Sequence, residues 1–211
     1  MNKERLVKVY IEALRIEREV GIPALFTTAQ AVIESTWDIT PIVVDGKNSN
    51  NIFGIKGEYN GNYVLAPTKE WDSKTKRYIS INAKFKAYPS LEECIRDHTK
   101  LLLSTIKGNQ KYSYLDCLIQ YRRDRNFENY AKKVLSIYAT SPTYFETMMG
   151  VIPLIKERTR GIWEVELEEA KTWAVTEGIL KPDDSLDYWD RPLTRKELVV
   201  ILKRIKSIGG A

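Results

Sequence analysis

Ala29-Gln-Ala-Val-Ile-Glu-Ser-Thr-Trp37, followed shortly by Asn51-Ile-Phe-Gly-Ile-Lys-Gly57, is the stretch on which the reading of this chain turns. Phe26, Ala29, Val32 and Ile33 recur at helical spacing and predict a helix over about residues 23–36 with its apolar side toward a core. Glu34 lies four residues after Gln30 and three before Trp37, at the edge of that apolar face. A carboxyl in that position is partly desolvated, which raises its pKa, and a raised carboxyl is what a general acid requires. From Ile39 to Asn62 the periodicity fails, and Gly, Asn, Asp and Pro mark a loop. An acid ending an apolar helix is ordinary. An acid followed by a Gly-rich aromatic loop is not.

Outward from this centre, Leu6, Val9, Tyr10, Ala13 and Leu14 predict a first helix over about 3–19, closed by Gly21 and Pro23. Tyr63–Trp71 and Arg77–Phe85 read as the strands of a β-hairpin with a polar tip. Helical patterns resume at Ser90–Ile106, Tyr114–Arg123, Phe127–Ile137 and Tyr144–Lys156, and Ser90 with Glu93 forms a capping-box pattern. The expected class is α+β: a mostly helical, lysozyme-like domain over residues 1–158 with an inserted β-hairpin, then a small helical module over 162–211. In that module the patterns fall at Leu167–Gly178 and Thr194–Ile208. About 50 residues with two helices is marginal for independent folding, so it is expected to pack on the body or to form a homodimer.

The 211 residues are 43% hydrophobic and 29% charged, as in a water-soluble globular protein, and no stretch approaches the roughly 18 apolar residues of a membrane span. Residues 1–160 hold 25 basic and 18 acidic side chains, a net of +7, whereas residues 161–211 carry a net of −2. A basic body favours polyanions: nucleic acid, teichoic acid or an anionic cell wall. Cys94 and Cys117 fall in helical patterns and are expected as buried free thiols. Met1-Asn-Lys-Glu-Arg5 runs directly into an amphipathic pattern without the apolar core of a signal peptide, so the chain is expected to be made in the cytoplasm, or to have lost a leader.

The acid-plus-loop pair resembles the signature of glycoside hydrolase family 73, the flagellar-type and autolysin-type N-acetylglucosaminidases of bacterial peptidoglycan. The resemblance implies that Glu34 protonates the glycosidic oxygen. It implies a second acid on the hairpin within a Thr-x-Glu pattern, which Thr68-Lys-Glu70 matches, making Glu70 the candidate base. Tyr138-Ala-Thr-Ser-Pro-Thr-Tyr144 is similar to the family's Tyr-Ala-Thr-(Asp/Asn)-Pro-x-Tyr, with Ser141 in place of the acid or amide. By resemblance Tyr138 stands near the acid, where its hydroxyl positions the acetamido group or the water. Phe85-Lys-Ala-Tyr88 resembles the element that anchors hairpin to body. Asp38 replaces a usual Gly after Trp37, which is expected to reshape the turn after the acid.

Asn51, Phe53 and Gly54 are the candidate substrate wall: an amide that bonds in both directions, an apolar ring, and a residue that lets backbone approach a sugar. Phe53 suits a core position equally well. Trp37 and Tyr144 join the candidate binding residues, and Trp71 offers a ring for stacking on sugar or for packing the hairpin. His98, among Arg96, Asp97 and Lys100, is expected on a solvated helix face, and Arg122–Arg125 as exposed surface. No cofactor or metal is expected, since neither phosphate-loop nor zinc motifs occur.

The expected substrate is peptidoglycan, cut at the β-1,4 bond after N-acetylglucosamine by a phage or prophage endolysin or an autolysin that reaches the wall through a holin or a removed leader. Muramidase or lytic transglycosylase chemistry on the same scaffold, or a wall-binding module without chemistry, are the alternatives. A nucleic-acid partner would account for the charge but not for the motif order. Ala170–Ile179 and Arg191–Leu198 resemble one S-layer-homology repeat, which implies secondary wall polymers as partners of residues 162–211.

Overall fold

The structure is a computed structural model that describes residues 3–72, 76–139, 141–162 and 176–177. The chain divides into two compact units, residues 1–158 and 159–211. Apart from residues 176–177, the expected C-terminal helices and the S-layer-homology-like segments lie outside the described residues, as do the hairpin tip at 73–75 and Thr140.

In the first unit, α1 (Lys3–Val20) buries Leu6, Val9, Tyr10, Ala13 and Leu14, the stripe read from its periodicity. Helix α2 (Ala24–Ser35) is the central element. Phe26, Ala29 and Val32 are buried, and α1 and the helix over Tyr144–Arg158 both pack on it. Pro23 stands at its N-cap and offers no side-chain oxygen, so the Glu17 carboxylate of α1 accepts the Ala24 N–H at 2.9 Å.

The expected loop after α2 contains a two-residue pair, β1 (Val43–Val44) and β2 (Lys47–Asn48). The long hairpin follows as β3 (Tyr63–Asp72) and β4 (Arg77–Lys86), antiparallel in a register that sets Tyr63 opposite Lys86 and Glu70 opposite Ile79. At its base Val64, Ala66, Phe85 and Ala87 form a small core with Ile42, Val44 and Ala83. Next come α3 (Leu91–Leu102), α4 (Tyr114–Asp124), α5 (Phe127–Tyr138) and α6 (Tyr144–Arg158). Phe26 meets Tyr130 of α5 edge-on, ring centroids 5.1 Å apart, a contact worth about 1 kcal/mol beyond its burial.

Helix α3 ends at Leu102, not near Ile106 as the periodicity suggests. The Ser104 and Ile106 carbonyls accept the Leu115 and Tyr114 N–H groups, which holds this segment against the start of α4. Ser90 accepts the Glu93 N–H, yet the reciprocal capping box belongs to Ser113 and Asp116. The Glu93 carboxylate accepts the Tyr59 hydroxyl instead. Cys94 and Cys117 are buried free thiols. No described helix is long and apolar enough to cross a membrane.

His98 corrects the sequence reading. It is fully buried, not solvated, because Cys94, Ile95, His98 and Leu102 share one helix face and the flanking charges point away. Burial drives its pKa down to about 3, so the ring is neutral at any working pH.

Candidate active site

The last turn of α2 carries Glu34 out of the core. Its side chain is exposed on the outer side, but protein crowds it elsewhere, and this desolvation raises its pKa. The Tyr144 hydroxyl, from the first residue of α6, donates to Glu34 Oε1 at 2.7 Å and partly offsets the rise. The net effect is a carboxyl that keeps its proton to higher pH than a solvated glutamate does.

Behind it the rings stand in sequence. Tyr144 and Tyr138 meet edge-on with centroids 6.3 Å apart, and Tyr138 meets His98 the same way at 6.1 Å. His98 in turn lies flat on Phe53, at 3.9 Å and 11° between planes. This run of rings joins the acid, the Tyr138–Tyr144 segment and the Asn51–Gly57 loop. Burial raises the Tyr138 and Tyr144 phenols, with the nearby Glu34 adding to both, so each is a neutral donor.

The loop wall is held from within. Asn51 is buried, and its amide nitrogen donates to the Ile55 and Lys86 carbonyls at 2.8 and 3.0 Å. Its amide oxygen accepts the Ile55 N–H at 3.0 Å. The residue thus commits its amide to the chain's own backbone. Phe53 is buried under His98, while Gly54 is exposed with φ +63° and no atom within 4 Å of a built Cβ. The backbone conformation, not crowding within the chain, is what requires glycine there. Lys86 and Tyr88, from the Phe85–Tyr88 element, both bond Asp97 of α3, at 2.7 and 2.9 Å, and fix hairpin to body.

Trp37 is half-buried, and the Arg158 guanidinium lies over its ring at 3.9 Å from the centroid, covering one face. Asp38 itself has no positive φ, whereas residues on either side of it do. Thr36 takes φ 65°, ψ 176°, a region nearly reserved for glycine, and Ile39 takes φ 46°. Arg5 of α1 donates to the Asp38 and Ile39 carbonyls and holds the turn.

Glu70 and Trp71 are placed by backbone only: both lie on β3, opposite Ile79 and Tyr78, and their side chains lie outside what is described. Position 70 is an even number of residues from the buried Val64 and Ala66. Sequence reasoning missed two residues behind the acid, His98 and Gln30. Gln30 is fully buried one turn before Glu34, and that one-turn spacing was the available signal. Among the described residues no three His, Cys, Asp or Glu side chains gather as a metal site. A separate groove, between Glu17, Pro23, Tyr121, Phe127 and Lys156, opens at the far end of α2 and shares no residue with this one.

Known proteins share sequence and fold with this chain. The exo-glucosaminidase LytG of Bacillus subtilis is 28% identical over 130 residues, 60% of this chain and 42% of that protein. The match thus spans less than half of that relative's length. A mutant of the peptidoglycan hydrolase of Sphingomonas sp. A1 superposes with TM-score 0.53 at 26% identity, covering 73% of this chain and 96% of that one. The catalytic domain of the Listeria monocytogenes autolysin Auto shares the fold, with TM-score 0.61 at 24% identity over 75% of this chain and 88% of its own. The family model described as mannosyl-glycoprotein endo-beta-N-acetylglucosaminidase matches residues 11–157, from the middle of α1 to the end of α6. The chain belongs to this glucosaminidase family of glycoside hydrolases.

Proposed function

We propose that the chain hydrolyses peptidoglycan glycan strands at the β-1,4 bond after N-acetylglucosamine, with Glu34 as general acid. The observation that carries this is the Glu34 carboxyl itself: raised by desolvation, facing outward, and held by one neutral phenol at the position the family motif reserves for the acid. A protonated carboxyl there can deliver its proton to the leaving oxygen, and the Tyr144 hydroxyl then stabilises the carboxylate that remains. Glu70 serves as the second carboxylate, brought over the groove by the hairpin when substrate binds. Tyr138 shapes the subsite beside the acid. Trp37, Trp71 and the exposed edge at Gly54 contact sugar. Asn51 and Phe53 act by holding the wall in place, since their polar atoms and ring are already engaged.

Residues 162–211 are assigned to attachment, through secondary wall polymers or by pairing two copies; the support is their resemblance to an S-layer-homology repeat. An endolysin or autolysin role follows from the same reading. Loss of retention on purified sacculi in a chain ended after residue 161 checks the attachment role.

Digestion of purified peptidoglycan by wild type, Glu34→Gln and Glu70→Gln, with mass spectrometry of borohydride-reduced fragments, tests the chemistry. Reduced N-acetylglucosamine ends from wild type, lost in Glu34→Gln, are expected. Reduced muramic or anhydro-muramic ends would reassign the bond to a muramidase or a lytic transglycosylase. Retained activity in Glu34→Gln would remove the acid from its role.

A further inference from the structure

Gln30 is a polar side chain with no exposure to solvent, set on α2 one turn before Glu34, where residues four apart are neighbours on the helix surface. Neither its amide nitrogen nor its amide oxygen completes a hydrogen bond. A buried amide left so costs free energy, and native interiors seldom tolerate it without a reason. Its neighbour across the α2–α6 contact is Tyr144, whose hydroxyl donates to Glu34. The Gln30 amide lies within reach of that phenol, in a contact that falls short of full hydrogen-bond geometry, and the phenol proton is already given to Glu34, so the side of the oxygen left to Gln30 is the accepting one.

A phenol has one proton to give and an oxygen that also accepts. If the Gln30 nitrogen occupies the accepting side, the proton has one place to go: the Glu34 carboxylate. If the Gln30 oxygen faced the phenol instead, it would compete with Glu34 for that proton. Resting sites commonly hold such contacts long and tighten them when substrate closes the groove.

We infer that Gln30 is a positioning residue whose side-chain N–H donates to the Tyr144 hydroxyl oxygen and so directs the single phenol proton onto Glu34. The inference rests on the acid role of Glu34 proposed above, but its test does not depend on turnover. The titratable groups that interact with Glu34 among the described residues are Tyr144 from α6 and Tyr138 from the end of α5. From α1, Arg5 faces the turn beyond Glu34 and Glu17 faces the opposite end of α2. Changing Gln30 removes none of these groups from the site.

The experiment follows the Glu34 carboxyl by carbon-13 NMR across pH in wild type, Gln30→Met, Gln30→Glu, Tyr144→Phe and the Gln30→Met/Tyr144→Phe double variant. Gln30→Met, of similar shape but without the donor, is expected to raise the Glu34 midpoint by less than Tyr144→Phe does. Gln30→Glu sets a second carboxyl beside Glu34 in a buried site and should raise the midpoint further than Gln30→Met, since two such groups resist ionising together. In the Tyr144→Phe background Gln30→Met should add nothing, because the phenol is the only route of its influence. An unchanged midpoint in Gln30→Met, or the same shift with and without the phenol, would overturn the relay and leave Gln30 as packing. Should the Gln30 variants fail to fold, Tyr144→Phe in an otherwise wild-type chain still decides: the Gln30 side-chain amide protons must move in the nitrogen–proton spectrum, and immobility overturns the inference. Undiminished hydrolysis by Glu34→Gln would instead sink the acid assignment while leaving the titration result standing.

Discussion

The two flanks of Glu34 are built on opposite terms. On the loop side Asn51 spends its amide on three backbone partners, Lys86 and Tyr88 converge on Asp97, and Phe53 lies flat on a neutral His98. On the α2 side the acid holds one hydrogen bond, Gln30 completes none, and Thr36 occupies backbone space that suits glycine. One flank is satisfied and the other carries cost. The difference teaches where stability has been given up: around the carboxyl proposed to release and regain a proton, not in the loop proposed as the substrate wall.

The largest effect that separates the two flanks is Glu34→Gln. Removing a general acid lowers hydrolysis by about 10²- to 10⁴-fold, read from the release of reduced ends. The same variant should be more stable than wild type at neutral pH. The folded pKa of Glu34 is raised, so the fold is not penalised below the unfolded value of 4.5, and the penalty grows as pH rises through the folded value. Denaturant midpoints at pH 4 and pH 7 check this: a stability gain at acid pH alone would contradict the sign.

Asn51→Ala breaks the other flank. It strands the Ile55 N–H and two carbonyls in a buried loop, at a cost of about 3 kcal/mol by equilibrium denaturation. A change within experimental error would mean the loop is held by packing instead. Tyr144→Phe is subtler. It removes the donor that favours the Glu34 carboxylate, so the acid keeps its proton further and the alkaline limb of the pH–activity curve moves to higher pH. A limb that moves down would place the phenol's influence elsewhere. The smallest effect is Thr36→Gly. Relief of the backbone conformation should stabilise by about 1 kcal/mol, with glycine's greater freedom in the unfolded chain taking back part of the gain.

The helices were legible because their apolar residues recur at helical spacing, and the hairpin because two strand-like runs flank a polar tip. The β1–β2 pair, two residues a side, is too short to leave a period. The early end of α3 depends on carbonyls claimed by residues at the start of α4, which no local pattern announces. Glu34 was singled out by motif and position. The partner of its carboxylate was not, because Tyr144 lies 110 residues away. His98 shows why burial of a polar residue escapes notice: the stripe Cys94, Ile95, Leu102 pointed to it, but its flat contact with Phe53 exists only in three dimensions. Asn51 was read by the capacity of its amide. What escaped was that the backbone of its own loop and of β4 uses that capacity up.

The bond from Ala24 N–H to the Glu17 carboxylate has a bearing on how this domain is assembled and how it can be cut down. A helix of twelve residues is short for independent formation in water, and this one begins without a cap of its own. Its first turn is therefore completed only when α1 has docked. Residues 11–157 mark the family's shared extent, yet a fragment trimmed to that boundary would halve α1 and lose Arg5, which holds the turn just after Glu34. The smallest piece that keeps the acid in place thus begins near residue 3, and in hydrogen exchange the first turn of α2 should open together with α1.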